Sequence, residues 1–434
     1  MRLARKKYAC HKFETIMISK EFFVPTDRSF KTHTRGIDLL YSLATVPVCF
    51  IWKNQILSFP ALKESFARVL EKIPILAARL NRENGEWMLD VHKSRGCLFE
   101  CWKTNRALPL ETESDAAWTA YSFPVSRLET YSKGEMVKIR VTHFTNGTVI
   151  HVSFAHMLMD ANGLHRMLTM WSNEVEQTAS PLKCHFERTP SKGKVIPTTI
   201  MSRWQTVKVL FRMYRSISTF HIGVFTCDKD ELVAWKRENQ PDGGKWVSTN
   251  ELILAMIWNQ LKSTHPVHLI ADIHGRCREV PIDYFGNGFH MLKIPPPPLD
   301  IGLNQTALTF HDTIRTTLDQ PEVLDETYKR LDYLHHSGRF TALRSLDVVQ
   351  DCGKGSLLYN SWTSFDWYSN SIQFGTGFPM DFMRIDSSFC GPRFVHVFPS
   401  RASRITIRLC LSSAEMKQFV TGLPTIWKTG YETR

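Results

Sequence analysis

A mixed α/β (α+β) protein in two domains is what the sequence predicts, and three observations lead there. At 434 residues the chain exceeds the roughly 250–300 residues at which a single core stops growing. Stretches whose apolar residues alternate are interleaved with stretches whose apolar residues recur at helical spacing. Residues 178–200 carry Pro181, Pro190, Gly193 and Pro197 among Ser, Thr and Lys, a composition that marks a boundary rather than an element. The expected division is an N-terminal domain over 1–185, a linker or crossover over 186–215 and a C-terminal domain over 216–434.

The elements follow in chain order. Leu62, Phe66, Val69, Leu70 and Ile73 form one helical stripe that Pro60 opens and Pro74 closes. Val137, Ile139 and Val141 alternate with polar neighbours, as do Ile150, Val152 and Phe154, and Asn146-Gly147 between them supplies turn residues, so 136–154 predicts a hairpin. From Leu164 the spacing becomes helical through Met167, Leu168, Trp171 and Val175, which leaves His156 in a strand-to-helix connection. Ser248-Thr249-Asn250-Glu251 predicts a capped helix start, Pro295–Pro298 an extended run, Ile405–Leu411 a strand, and Ser412–Glu415 a capping box ahead of a short helix.

Composition excludes some classes. With 43% hydrophobic and 22% charged residues, 12 Trp and 27 Phe, the chain has what a packed core needs. The basic start Met1–Tyr8 is followed by no apolar run, and no stretch matches a span of about 20 apolar residues, so a soluble, cytoplasmic protein is expected. Ten cysteines without a C-x-x-C pair fit reduced thiols, and Cys97 and Cys101 lack further ligands for a metal. The net charge of +12 is spread along the chain and accompanies no nucleic-acid motif, which leaves solubility or a phosphate-rich small molecule as its use.

The sharpest local pattern is His156-Met-Leu-Met-Asp160-Ala-Asn-Gly163. By itself it allows a structural histidine, a helix N-cap at Asp160 or Asn162, or a metal pair with His151 that lacks a third ligand. Other segments decide. Gly36-Ile-Asp-Leu-Leu40, Leu62–Ser65, Pro74-Ile-Leu-Ala-Ala-Arg-Leu80, Val247–Asn250 before Trp258, Asp272-Ile-His-Gly-Arg-Cys-Arg278, Tyr284-Phe-Gly-Asn287, Ser361-Trp362 and Gln373-Phe-Gly-Thr-Gly377 with Pro379 occur in that order. Together they resemble the BAHD acyltransferases, in particular the fungal branch with trichothecene acetyltransferase-like members.

That resemblance implies two chloramphenicol-acetyltransferase-like domains with a tunnel between them, a free acyl-CoA co-substrate and no permanent cofactor. It also implies a monomer acting on a hydroxyl, or less often an amine, of a small specialised metabolite. His156 is then the general base, Asp160 the residue that holds its loop, and Trp362 and Asn360 the groups near the oxyanion. Ser248, Thr249, Asn250 and Arg276 become candidate coenzyme A contacts, while Gln373, Phe374, Gly375 and Gly377 form a structural motif. In two places the chain departs from the pattern. Ala161 follows the motif Asp where Gly is usual, and Gln373 and Thr376 replace Asp and Trp, which removes an Asp–Arg ion pair. Arg276 is the candidate to pair with Gln373 instead. A carrier-dependent condensation domain is a second expectation, but Ala155 stands where such domains carry another His; an inactive ligand-binding relative is a third.

Overall fold

The computed structural model describes residues 15–432 apart from 43, 93, 95, 111–117, 119–134, 191–200, 218–219, 242–244, 333–350, 352–353 and 386–390. The basic N-terminal residues and the second half of the expected boundary segment lie outside the described residues.

The first half of the chain runs β1 (Thr15–Phe23), β2 (Lys31–His33), α1 (Gly36–Leu40), β3 (Thr45–Lys53), α2 (Phe59–Lys72), β4 (Arg79–Glu83), β5 (Glu86–Asp90), β6 (Cys97–Thr104), β7 (Val137–Phe144), β8 (Gly147–Ala155) and α3 (Ala161–Glu176). A helix α4 (Arg203–Ile217) follows, inside the stretch expected as crossover. The second half adds β9 (Phe220–Asp228), α5 (Lys229–Glu238), α6 (Thr249–Leu261), β10 (Val267–Asp272), β11 (Phe289–Ile294), α7 (Leu303–Leu318), α8 (Pro321–Leu331), β12 (Leu357–Ser361), β13 (Phe382–Ile385), β14 (Phe394–Arg401), β15 (Arg404–Ser412), α9 (Ser413–Thr421) and β16 (Lys428–Glu432).

These strands build two large sheets and a small one. The first has the order β1-β6-β7-β8-β3-β13, the second β11-β10-β12-β14-β15-β9-β16, and β2-β5-β4 form the third. Pairing is antiparallel except at β6/β7, β10/β12 and β12/β14. Each large sheet has its own core, one around Phe50, Phe66, Phe99 and Trp171, the other around Phe225, Trp258, Tyr359 and Phe419. Sheet pairing crosses the division at residue 216, because β13 from the second half pairs Phe382–Ile385 against Val48–Ile51 of β3.

Local signals explain the helices. Ser58 Oγ caps α2 by accepting from the Ala61 N–H, Pro60 needs no donor in the first turn, and Leu62, Phe66, Val69 and Leu70 are buried. The Trp171 indole N–H of α3 donates to Ser65 Oγ at 3.0 Å, so the two helices lock together by packing and a hydrogen bond. Reciprocal capping boxes, Ser248 with Glu251 and Ser412 with Glu415, start α6 and α9.

The expected hairpin forms from β7 and β8, and its second strand is buried throughout. All nine residues of β8 are buried, including the polar Thr148, His151 and Ser153. The strand lies between β7 and β3 in the middle of its sheet and is covered on both faces, so alternation in sequence does not become alternation in exposure. Gly147 is required there: its φ is +155°, and a Cβ would lie 2.4 Å from the Trp52 carbonyl oxygen.

Candidate active site

The end of β8 delivers His156 to the seam between the two large sheets. Its backbone N–H donates to Ala44 O at 2.8 Å, and the chain turns at once, with Leu158 N–H donating to Ala155 O at 2.9 Å. Asp160 then caps α3: Oδ1 accepts from the Gly163 N–H at 3.0 Å, while Oδ2 accepts from the Gly288 N–H at 2.8 Å. The His156–Asp160 turn is thereby tied to the Asn287-Gly288 loop of the second half.

Beneath the turn runs a buried polar chain. Arg188 and Asp38 pair at 2.9 Å with both side chains fully inaccessible. The Arg188 guanidinium also donates to the carbonyl oxygens of Met157, Leu158 and Phe285, so the ion pair is solvated by the turn it supports. Asp38 Oδ1 accepts from Asn287 Nδ2 at 2.9 Å, and Asn287 Oδ1 lies 3.0 Å from His156 Nδ1. Because the amide nitrogen must face the carboxylate, its oxygen faces the imidazole. His156 Nδ1 therefore carries the proton and Nε2 the lone pair.

Tyr41 stacks on the His156 ring at 4.7 Å, and Phe289 meets it edge-on at 5.9 Å. Burial in this setting pushes the His156 pKa below the ordinary imidazole value, against the opposing pull of Asp160, Asn287 and Asp38. A neutral ring is what a proton acceptor needs. Burial likewise raises the Asp160 pKa, with nearby His274 acting in the other direction.

His274 has a distinct charge state. Its Nδ1 lies 2.5 Å from Asp272 Oδ1 and its Nε2 lies 3.2 Å from Tyr284 O, two acceptors that only an imidazolium satisfies together. Burial lowers its pKa, but Asp160 and Asp272 outweigh this and the net shift is upward. Gly288 permits the approach, since a Cβ there would lie 2.3 Å from the His274 ring.

A cleft opens beside His156, walled by Val46, Phe154, Ile270, Phe289, Trp362 and Phe365 with Asp160, Asn162, Asp272, Asn360 and Ser361. Its mixed apolar and polar lining suits a small ligand. Asn360 is the penultimate residue of β12 and is buried in this wall, and among the described residues its amide has no hydrogen-bond partner in the protein. The Trp362 indole N–H is equally without a partner among the described residues, while its ring packs against His396 at 4.8 Å.

The other expected residues fall elsewhere. Ser248 Oγ accepts from the Glu251 N–H as the cap of α6, and Asn250 Oδ1 accepts from the hydroxyls of Ser361 at 2.9 Å and Thr363 at 3.1 Å, which places Asn250 and its neighbour Thr249 beside the cleft. Arg276 is exposed in the turn after β10 and is not part of the wall.

The expected pairing of Arg276 with Gln373 is corrected by the structure. Gln373 and Phe374 donate their backbone N–H groups to Ser172 Oγ, both at 2.9 Å, and Gly375 N–H donates to Glu176 Oε1 at 3.3 Å. The motif thus clasps the C-terminal turns of α3. Phe374 wedges between Trp52 and Trp171, with ring centroids at 5.4 and 4.9 Å, and takes φ +51° with Gly375 at +78° and Gly377 at +74°. A tight turn fastened by a Ser hydroxyl needs no Arg partner.

Sequence reasoning assigned no role to Asn287, Asp38, Arg188 or His274. Asp38 offered a signal, an acid inside the apolar run Gly36–Leu40, and Asn287 and His274 stood in segments already singled out. Arg188 offered none, since it sits in what looked like a linker. Among the described residues no cluster of three or more His, Cys, Asp or Glu is placed to hold a metal.

Two sheet-based halves meet at a seam that carries the His156-x-x-x-Asp160 turn. Residues 19–213 match the family model described as "Transferase family". An acetyltransferase of Botryotinia fuckeliana, BOT5, is 29% identical over 96 residues, which is 21% of this chain and 18% of that relative. Vinorine synthase superposes with a TM-score of 0.68 at 17% identity over 93% of this chain and 96% of its own. F. graminearum TRI101, complexed with coenzyme A and deoxynivalenol, gives 0.63 at 13% identity over 90% and 97%.

Proposed function

We propose that this chain transfers an acyl group from an acyl-CoA to a hydroxyl of a small, largely apolar specialised metabolite, with His156 as general base. The observation that carries this is the Asp38–Asn287–His156 relay, which holds a buried imidazole in one tautomer at the edge of a cleft. His156 Nε2 takes the acceptor's proton as its oxygen attacks the thioester carbonyl. A C–O bond forms and the carbonyl oxygen becomes an oxyanion, for which the Asn360 amide and the Trp362 indole N–H are the available donors. Collapse breaks the C–S bond, and the proton on His156 passes to the departing thiolate.

The substrates are supported by different features. Val46, Phe154, Ile270, Phe289 and Phe365 favour an apolar acceptor, and a wall without a second basic side chain favours an alcohol over an amine that must first lose a proton. Thr249 and Asn250 at the start of α6 are the candidate coenzyme A contacts, in keeping with the coenzyme A complexes of TRI101; exposed Arg276 remains a candidate for the phosphates. Cys49, Cys97, Cys101, Cys184, Cys227, Cys277 and Cys410 are all free thiols, which fits a cytoplasmic setting. A monomer is the proposed working form. The motif at Gln373 fastens α3 and lies outside the cleft wall, so its altered sequence leaves this chemistry intact.

The test is release of free thiol from acetyl-CoA and longer acyl-CoAs in the presence of a panel of alcohols and amines. His156→Ala is expected to lower turnover by about 10²–10⁴-fold with an unchanged melting temperature. Turnover at the wild-type rate in that variant would remove His156 from the mechanism, and absence of thiol release by wild type across the panel would favour a ligand-binding role.

A further inference from the structure

Helix α4 carries three large apolar side chains on an outward face. Trp204, Val207 and Phe211 are 77%, 54% and 59% exposed, whereas Thr206 is buried. At 100° per residue the three apolar positions fall within about 60° of arc. Large apolar side chains clustered in this way at a surface mark an interaction site.

Charge says what covers this face. Residues 189–227 hold six Lys or Arg and no Asp or Glu, in a chain whose 42 acids average about one in ten positions. Of the cations within α4, Arg203 and Lys208 are exposed beside the apolar arc. Two copies meeting through this face would bring both cations of each together, which disfavours self-association. A bilayer with anionic headgroups satisfies both halves of the pattern, because it offers phosphates to the cations and acyl chains to the Trp and Phe.

We propose that α4 is a membrane-surface helix that seats the protein on anionic bilayers, with Trp204, Val207 and Phe211 below the headgroups and Arg203 and Lys208 against lipid phosphates. The helix lies in the plane of the surface and spans nothing; among the described residues no helix is long and apolar enough to cross a membrane.

Vesicle flotation of the full chain tests this, using phosphatidylcholine alone and phosphatidylcholine with about 30% phosphatidylserine, at low and high salt. Wild type is expected to bind the anionic vesicles at least about tenfold more tightly than the neutral ones and to lose most of that preference at high salt. The double variant Trp204→Gln/Phe211→Gln should lose binding at every salt concentration, and Lys208→Glu mainly at low salt, both with wild-type melting temperatures since the sites are exposed. Failure of wild type to float with anionic vesicles, or equal binding by the double variant, overturns the proposal. So does a wild-type dimer, or an RNA complex tighter than the vesicle complex, that the double variant abolishes.

Discussion

Helix α3 is held at both ends, and the two attachments differ in kind. At its start, Asp160 binds Gly163 and Gly288 above a buried chain of Arg188, Asp38 and Asn287 that ends on the His156 ring. At its end, Ser172 and Glu176 receive the backbone N–H groups of Gln373, Phe374 and Gly375. The first attachment uses charges and side-chain amides whose identities cannot be exchanged without disturbing a proton. The second uses main-chain donors and one wedged ring, which any sequence able to make the same turn reproduces. The Gln373–Gly377 turn therefore holds through main-chain donors, whereas the His156 turn depends on the charges beneath it.

Breaking the buried chain at its charged end should have the largest effect. Arg188→Ala leaves Asp38 buried without a counter-ion and frees three carbonyls, at an expected cost of about 3–5 kcal/mol in a denaturant titration. Arg188→Met with Asp38→Leu should return much of that stability, yet not the activity, because Asn287 then has no carboxylate to orient it. Recovery of both would reduce the chain to packing.

Asn287→Ala is expected to cost about 10–100-fold in both kcat and kcat/KM, as a transition-state interaction is lost. The pH profile sharpens the point. His156 must be neutral to act, and burial lowers its pKa, so wild-type kcat/KM should fall only as pH drops through a value below about 6.5. The Asn287 bond opposes that lowering, so its removal should move the acid limb further down. A limb that moves upward would contradict the assigned tautomer.

Asp160 separates capping from charge. Asp160→Ala should lose about 0.5–2 kcal/mol as an N-cap and with it the register of the turn, whereas Asp160→Asn keeps the acceptor for Gly163 and should retain more activity. Equal and complete inactivation with equal melting temperatures would show that the negative charge beside His274 is what matters.

The smallest effect is expected at the other end of the helix. Gln373→Glu adds a carboxylate near Glu176, and like charges at such spacing cost about 0.2–0.5 kcal/mol. The change should be the same in an Arg276→Ala background and leave turnover untouched. A stability gain that Arg276→Ala abolishes would reinstate the ion pair.

What the sequence disclosed and what it withheld follow the range of the interactions. The α2 stripe, the 137–155 hairpin and the capping boxes at Ser248 and Ser412 are decided within a few residues, and the same local patterns that announce them build them. His156 was legible because a strand ends and a helix begins around it. Arg188 and Asp38 are 150 positions apart, and no periodicity or spacing links them; only the fold does. The outward face of α4 was hidden differently, since its residues have a helical period but nothing in sequence tells which side meets the protein.

Strand β13 sets the timetable by which the polypeptide matures during synthesis. Once β8 is complete at Ala155, the N-terminal sheet leaves β3 as a bare edge until Phe382 arrives, 227 positions later. At about 5–20 residues per second that is a wait of roughly 10–45 s on the ribosome. Throughout it the exposed edge, rich in Val, Phe and Ile, is open to pairing with neighbouring nascent chains. Truncation anywhere before residue 382 makes that interval permanent, so an N-terminal half produced alone should aggregate, with its core also missing Phe374, Met383 and Ile385.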